Sequence, residues 1–267
     1  MKIAALQMVS TPSVERNLDT ARALVGRAAS EGAELAVLPE YFCLMGRSDR
    51  DKLTIAEPFG DGPIQRALAE AARRHRLWLV GGTLPLASGE DGRVMNANLV
   101  FSPDGETVAR YDKIHLFRYD NGREQYDEGR TLKAGGTPVA FAAGEWRVGL
   151  SICYDLRFPE LYRALMRPPC DLICVPSAFT YPTGSAHWEV LLRARAIENQ
   201  CYVVAAAQGG RHENGRRTFG HSLVVDPWGD VVAMLPEGEG VITAELKRER
   251  IAEVRTQLPA LEHRRSF

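Results

Sequence analysis

Short apolar runs alternate with stretches of helical spacing along the whole chain, and this alternation limits the fold more than any other feature of the sequence. Residues 3–8, 35–38, 77–80, 99–101, 148–152, 172–175 and 202–206 read as buried strands, and residues 17–30, 63–75, 159–167 and 186–199 carry apolar positions at helical spacing. Strands interleaved with helices make an α/β pattern. Two stretches instead predict hairpins. Residues 97–101 run through Ser102-Pro103-Asp104-Gly105 into 106–111, and residues 222–225 run through Asp226-Pro227-Trp228-Gly229 into 230–235. The sheets are therefore expected to be mixed.

At 267 residues the chain can bury a full core in one domain. No composition shift, low-complexity segment or fixed-period repeat marks a linker, so a single domain over 1–267 is expected. Lys plus Arg number 33 against 34 Asp plus Glu, a net charge of -1. No whole-molecule field then draws the protein to nucleic acid or to an anionic membrane, and an anionic ligand must be held locally. The first residues, Met1-Lys2-Ile3-Ala4-Ala5-Leu6-Gln7-Met8, lack the apolar core of a signal peptide, and no run reaches transmembrane length, which leads to the expectation of a cytoplasmic protein.

The five cysteines are odd in number and scattered, which argues for reduced thiols over a disulfide framework. Cys170 and Cys174, followed by His187, His212 and His221, invite a zinc reading. Residues four apart on a strand lie well separated, however, and no paired ligand spacing occurs, so no metal is expected. Cys43 and Cys201 read as packing residues.

Three segments share one layout, an apolar strand ending on a reactive side chain: Leu35-Ala36-Val37-Leu38-Pro39-Glu40, Val108-Ala109-Arg110-Tyr111-Asp112-Lys113 and Val148-Gly149-Leu150-Ser151-Ile152-Cys153. Ligands of open α/β sheets bind beyond the carboxyl ends of strands, where such groups can converge. Cys153 precedes Pro159, which can open a helix, so its thiol would sit on a strand-to-helix elbow with backbone N–H groups free for an oxyanion. The competing reading is a buried structural cysteine. Lys113 is either a solvated strand end or a cation that lowers a thiol pKa or holds developing negative charge. Glu40, between Val37-Leu38-Pro39 and Tyr41-Phe42, is either a helix-start or loop acid, or a desolvated carboxylate with its pKa raised toward proton-transfer use.

Taken together, Leu38-Pro39-Glu40, Tyr111-Asp112-Lys113-Ile114-His115-Leu116-Phe117 and Cys153-Tyr154-Asp155-Leu156-Arg157-Phe158-Pro159-Glu160-Leu161 resemble the Glu, Lys and Cys motifs of the nitrilase, or carbon-nitrogen hydrolase, superfamily, in that family's order. The resemblance extends from the first strand to His263. Pro176-Ser177-Ala178-Phe179, the run 186–198 and the run 200–208 are similar to the Nit branch, and within it to the subgroup that hydrolyses deaminated glutathione. A companion subgroup, ω-amidase, acts on 2-oxoglutaramate and 2-oxosuccinamate.

The resemblance implies a four-layer α-β-β-α sandwich that dimerises to eight layers, with helices after Cys153, the region 186–199 and the C-terminal segment to Phe267 as candidate contacts. It implies Glu40 as general base, Cys153 as nucleophile forming a thioester, and Lys113 with the Tyr154 backbone N–H as oxyanion donors, without metal or organic cofactor. Glu128 matches a second family glutamate that positions Lys113, although Glu124 and Asp127 are neighbours. The substrate is expected to be a small amide bearing carboxylates. Arg157, four residues after the nucleophile, either holds one of these or pairs with Asp155 or Glu160. Tyr41, Phe42, Met45, Phe117, Phe179 and Thr180 are expected to line the pocket, with loops 118–129 and 180–185 setting its length. Other readings are a carbamoylase or nitrilase, or a non-enzymatic scaffold in which Cys153 senses peroxide.

Overall fold

The structure, a computed structural model, describes residues 1–122 and 125–265. Two mixed sheets carry the architecture. The first has the strand order Gly240–Glu245, Lys2–Gln7, Leu35–Val37, Trp78–Val80, Val94–Phe101, Leu84–Ala87, and Thr107–Asp112 and Leu132–Lys133 also pair with Val94–Phe101. The second runs Ala140–Ala143, Trp146–Leu150, Leu172–Cys174, Tyr202–Ala205, Ser222–Val225, Val231–Leu235. Lys2–Gln7, Leu35–Val37 and Trp78–Val80 pair in parallel, as do Trp146–Leu150, Leu172–Cys174 and Tyr202–Ala205, while both hairpins are antiparallel.

The alternation of side chains along a strand sorts the core into layers. In Lys2–Gln7, Ile3 and Ala5 face the second sheet, whereas Ala4 and Leu6 pack under the helices Val14–Ser30 and Pro63–His75. On the far side of the second sheet, Leu161, Tyr162, Trp188, Leu192 and Ala196 bring in the helices Pro159–Ala164 and Tyr181–Asn199. The result is the four-layer α-β-β-α sandwich that the resemblance implies. Among the described residues no helix is long and apolar enough to cross a membrane.

Helix boundaries differ from the periodicity where caps and prolines decide. The first helix starts at Val14 because the Ser13 hydroxyl accepts from the Arg16 N–H. The helix expected over 159–167 ends at Ala164, ahead of Pro168, whose ring disfavours helical backbone just before it. The helix expected from 186 begins at Tyr181, with Pro182 in its first turn, where the missing N–H costs nothing. The strand expected at 99–101 is the end of Val94–Phe101, whose Asn96 and Asn98 interrupt the apolar run yet are buried.

Candidate active site

Glu40, Lys113, Glu128 and Cys153 meet at one cluster, drawn from both sheets. Lys113 follows the strand Thr107–Asp112 directly and its backbone N–H bonds Asn96 O at 3.0 Å, so the last turn of the ladder aims its side chain inward. Its ammonium is fully buried, 2.9 Å from Glu40 Oε1 and 2.9 and 2.8 Å from the two oxygens of Glu128. Burial alone would depress the Lys113 pKa, but Glu128 and Glu40 outweigh it and hold the group well above its ordinary value. For Glu128 burial acts upward and Lys113 downward, and the ammonium wins, keeping the carboxyl below its usual range. Glu128 also accepts from Tyr41 Oη at 2.8 Å and from the Phe117 N–H at 2.7 Å. Its neighbour Asp127 instead accepts from the Gly129 N–H and lies 3.6 Å from Arg130. Glu124 lies outside the described residues.

Glu40 is buried, and its Oε1 accepts from Lys113 and from Asn96 Nδ2 at 2.9 Å. Both donors use the same oxygen, which leaves Oε2 to the thiol side. The Glu40 main-chain oxygen is pinned by Gln208 Nε2 at 3.1 Å. Asn96 escaped the sequence reading. Its signal was one of two polar amides, Asn96 and Asn98, inside a strand otherwise made of Val, Met, Ala, Leu and Phe.

Cys153 sits at the elbow with φ 48°, a left-handed backbone conformation that a non-glycine residue adopts at some cost. Its N–H bonds Pro176 O at 2.9 Å, and the short 3-10 turn Cys153–Arg157 begins there. Asp155 fixes the turn: its carboxylate accepts from the Ile152 N–H at 2.9 Å and its own N–H returns to Ile152 O at 3.0 Å. The same carboxylate accepts from Tyr111 Oη at 2.7 Å and from the His115 N–H at 3.0 Å, and lies 2.7 Å from His115 Nδ1. The Tyr154 N–H has no acceptor among the described residues, which leaves it available to a developing oxyanion. Burial, then the Glu40 charge, pushes the Cys153 thiol well above its ordinary pKa against the opposing pull of Lys113.

Two adjoining cavities open over this cluster. The inner one touches Glu40, Cys153, Tyr154, Arg157, Phe179 and Thr180. The outer one, about 410 Å³, is bordered by Tyr41, Met45, Lys52, Tyr126 and Asn214. Phe117, Glu128 and Arg216 line both. Tyr41, Met45, Phe117, Phe179 and Thr180 thus stand at cavity walls. Phe42 does not: it is fully buried under the helices, in the core with Leu38, Cys43 and Leu84, because the left-handed turn at Tyr41 sends the next side chain inward. Arg157 pairs with neither Asp155 nor Glu160. Its guanidinium lies over the Phe179 and Tyr154 rings, 3.2 Å from His187 Nδ1. Arg216 and Lys52 were not singled out from the sequence, and nothing around them in the chain distinguishes them from surface cations. Among the described residues no cluster of His, Cys, Asp or Glu can hold a metal ion.

A four-layer sandwich with a cysteine elbow facing a buried Glu-Lys-Glu cluster brings a thiol, an acid and a cation within reach of one carbonyl group, an arrangement suited to a hydrolase. Residues 2–256 match the family described as carbon-nitrogen hydrolase, and the chain belongs to that family. It is 43% identical to the deaminated glutathione amidase of Synechocystis sp. (strain PCC 6803 / GT-S), covering 98% of this chain and 97% of that one. The crystal structure of Saccharomyces cerevisiae Nit3, of branch 10 of the nitrilase superfamily, superposes with a TM-score of 0.87 at 32% identity, covering 97% of this chain and 94% of that one. An amidase variant from Nesterenkonia sp. AN1, whose active-site cysteine has undergone Michael addition of acrylamide, superposes with a TM-score of 0.81 at 26% identity over 97% and 98% of the two chains.

Proposed function

We propose that the protein hydrolyses deaminated glutathione, opening the amide that joins its 2-oxo acid portion to cysteinylglycine. The observation that carries this reading is the identity of 43% to a deaminated glutathione amidase over nearly the full length of both chains. The cluster supplies the chemistry. As the Cys153 thiol, protonated at rest, attacks the amide carbonyl, its proton passes to Glu40 Oε2, the oxygen free of other donors. Charge that builds on the carbonyl oxygen is met by the Tyr154 N–H and by Lys113. Lys113 holds Glu128 with two contacts, so one N–H can turn to the oxyanion while the other keeps the ammonium in place. Glu40 then protonates the leaving amine and activates the water that cleaves the thioester. Glu128 and Tyr41 position Lys113.

The proposal includes one hydrolase domain over 1–267 acting in the cytoplasm on a small molecule, as a homodimer and without nucleic acid or membrane partners. The exposed apolar side chains Val190, Ile197 and Trp228 support the dimer. The decisive experiment is release of 2-oxoglutarate from deaminated glutathione by the purified protein. Wild-type turnover is expected, with a loss of roughly a thousandfold or more in each of Cys153→Ala and Glu40→Gln. No release by wild type, or retained release in either variant, overturns the reading. A wide preference for 2-oxoglutaramate moves the protein to the ω-amidase subgroup.

A further inference from the structure

We propose that Arg216, assisted by Lys52, is the receptor for the carboxylate on the leaving-amine portion of the substrate, seated in the outer cavity. The proposal rests on the deaminated glutathione reading and adds an orientation to it.

Arg216 stands where the two cavities meet. Its guanidinium is held in place but not neutralised. It lies 5.0 Å over the Tyr126 ring, Nη2 donates to Ala178 O at 3.3 Å, Nη1 faces Met45 Sδ at 3.8 Å, and the buried Nε has no hydrogen-bond partner. Among the described residues it forms no ion pair, and neither does Lys52, whose ammonium lies 3.3 Å from Thr131 Oγ1 and 5.4 Å over the Tyr41 ring. Of the acids at this rim, Glu128 is committed to Lys113, Tyr41 and Phe117, and Asp127 to Gly129 and Arg130, while the charge of Asp49 acts on Lys52 without an ion pair to it or to Arg216. Partly desolvated cations without a carboxylate in contact are costly to hold, and a carboxylate guest relieves that cost with charge-assisted hydrogen bonds.

Volume and order of events fix which end of the substrate arrives there. The outer cavity has about 410 Å³, and the inner one around Cys153 is much narrower. After the thiol attacks, the acyl portion stays tethered at the sulfur and the amine portion must depart before water enters. The bulkier cysteinylglycine, ending in a carboxylate, therefore suits the wider chamber, and the 2-oxo acid end lies toward the Arg157 side.

The test compares deaminated glutathione with an analogue whose terminal glycine carboxylate is a carboxamide. Wild type is expected to lose roughly tenfold or more in kcat/KM on the carboxamide, mostly in KM. Arg216→Gln is expected to lose a similar factor on the acid and much less on the carboxamide, so the two changes are not additive. Lys52→Gln should show the same pattern with a smaller factor. Equal wild-type turnover of acid and carboxamide overturns the proposal, as does an Arg216→Gln penalty that is the same on both. If Arg216→Gln fails to fold, the wild-type comparison and Lys52→Gln still decide. Absence of wild-type turnover on both compounds defeats the parent reading, and the subsite with it.

Discussion

Cys153 joins two properties that pull in opposite directions. Its left-handed backbone projects the sulfur toward the cavity, while burial and the Glu40 charge keep that sulfur protonated. A thiolate-based hydrolase lowers its cysteine pKa in advance, whereas in the proposed mechanism the charge is created only as Glu40 removes the proton. The far-ultraviolet thiolate band that distinguishes wild type from Cys153→Ala should accordingly be absent across the range in which an unperturbed cysteine titrates, about 8–9. A band that grows in over that interval would show a thiol poised by Lys113 instead. Glu40, Lys113 and Cys153 could be picked out as candidates in the sequence because each lies one to three residues past a strand, and the family motifs around them decided between the competing readings. Asn96, Lys52 and Arg216 were not, since their importance lies in which atoms surround them, a property of packing between distant segments.

The hairpin of Gly209–Arg211 and Arg217–Phe219 carries Arg216 in its connecting loop opposite His212, whose N–H bonds Arg216 O at 2.9 Å. His212 is buried, with Nδ1 2.9 Å from Ser10 O and Nε2 2.8 Å from Thr218 Oγ1. Desolvation pushes its pKa down to about 4. A depressed folded-state value means that stability is complete above the unfolded value of about 6.5 and is lost as pH falls from there toward 4. The loss amounts to at most about 3 kcal/mol. Urea midpoints of wild type should fall more steeply over this interval than those of His212→Asn, and parallel pH profiles would rule His212 out as the titrating group. The strands and the hairpins at 97–111 and 222–235 were readable from local periodicity and turn chemistry. The extension of the helix to Tyr181 was not, because Pro182 and Gly184 weaken local propensity while Thr183 and Trp188 are buried by tertiary packing.

At the scale of the whole molecule, Val190, Ile197 and Trp228 are among the large apolar side chains that the sandwich leaves exposed. Val190 and Ile197 lie one heptad apart on the helix Tyr181–Asn199, and the turn holding Trp228 is tied to that helix through Arg193 Nε and Gly229 O at 2.8 Å. If the proposed dimer forms here, Val190→Glu should convert it to monomer in sedimentation experiments while leaving thermal stability of the protomer near wild type. A wild-type monomer would end the assembly reading. Phe267, at the end of the segment expected to contribute, lies outside the described residues. The layer order was legible only through the family resemblance, since periodicity identifies buried strands but does not say which sheet each one joins. Between those sheets, Asp155 takes on a mechanical role. Tyr111 and His115 flank Lys113 on the strand end of the first sheet, Ile152 precedes Cys153 at the end of the second, and all three are fastened to one carboxylate. It works as a rivet through two plates: sliding of one sheet against the other carries ammonium and sulfur together, so the gap between them is held to a tighter tolerance than the sandwich around it.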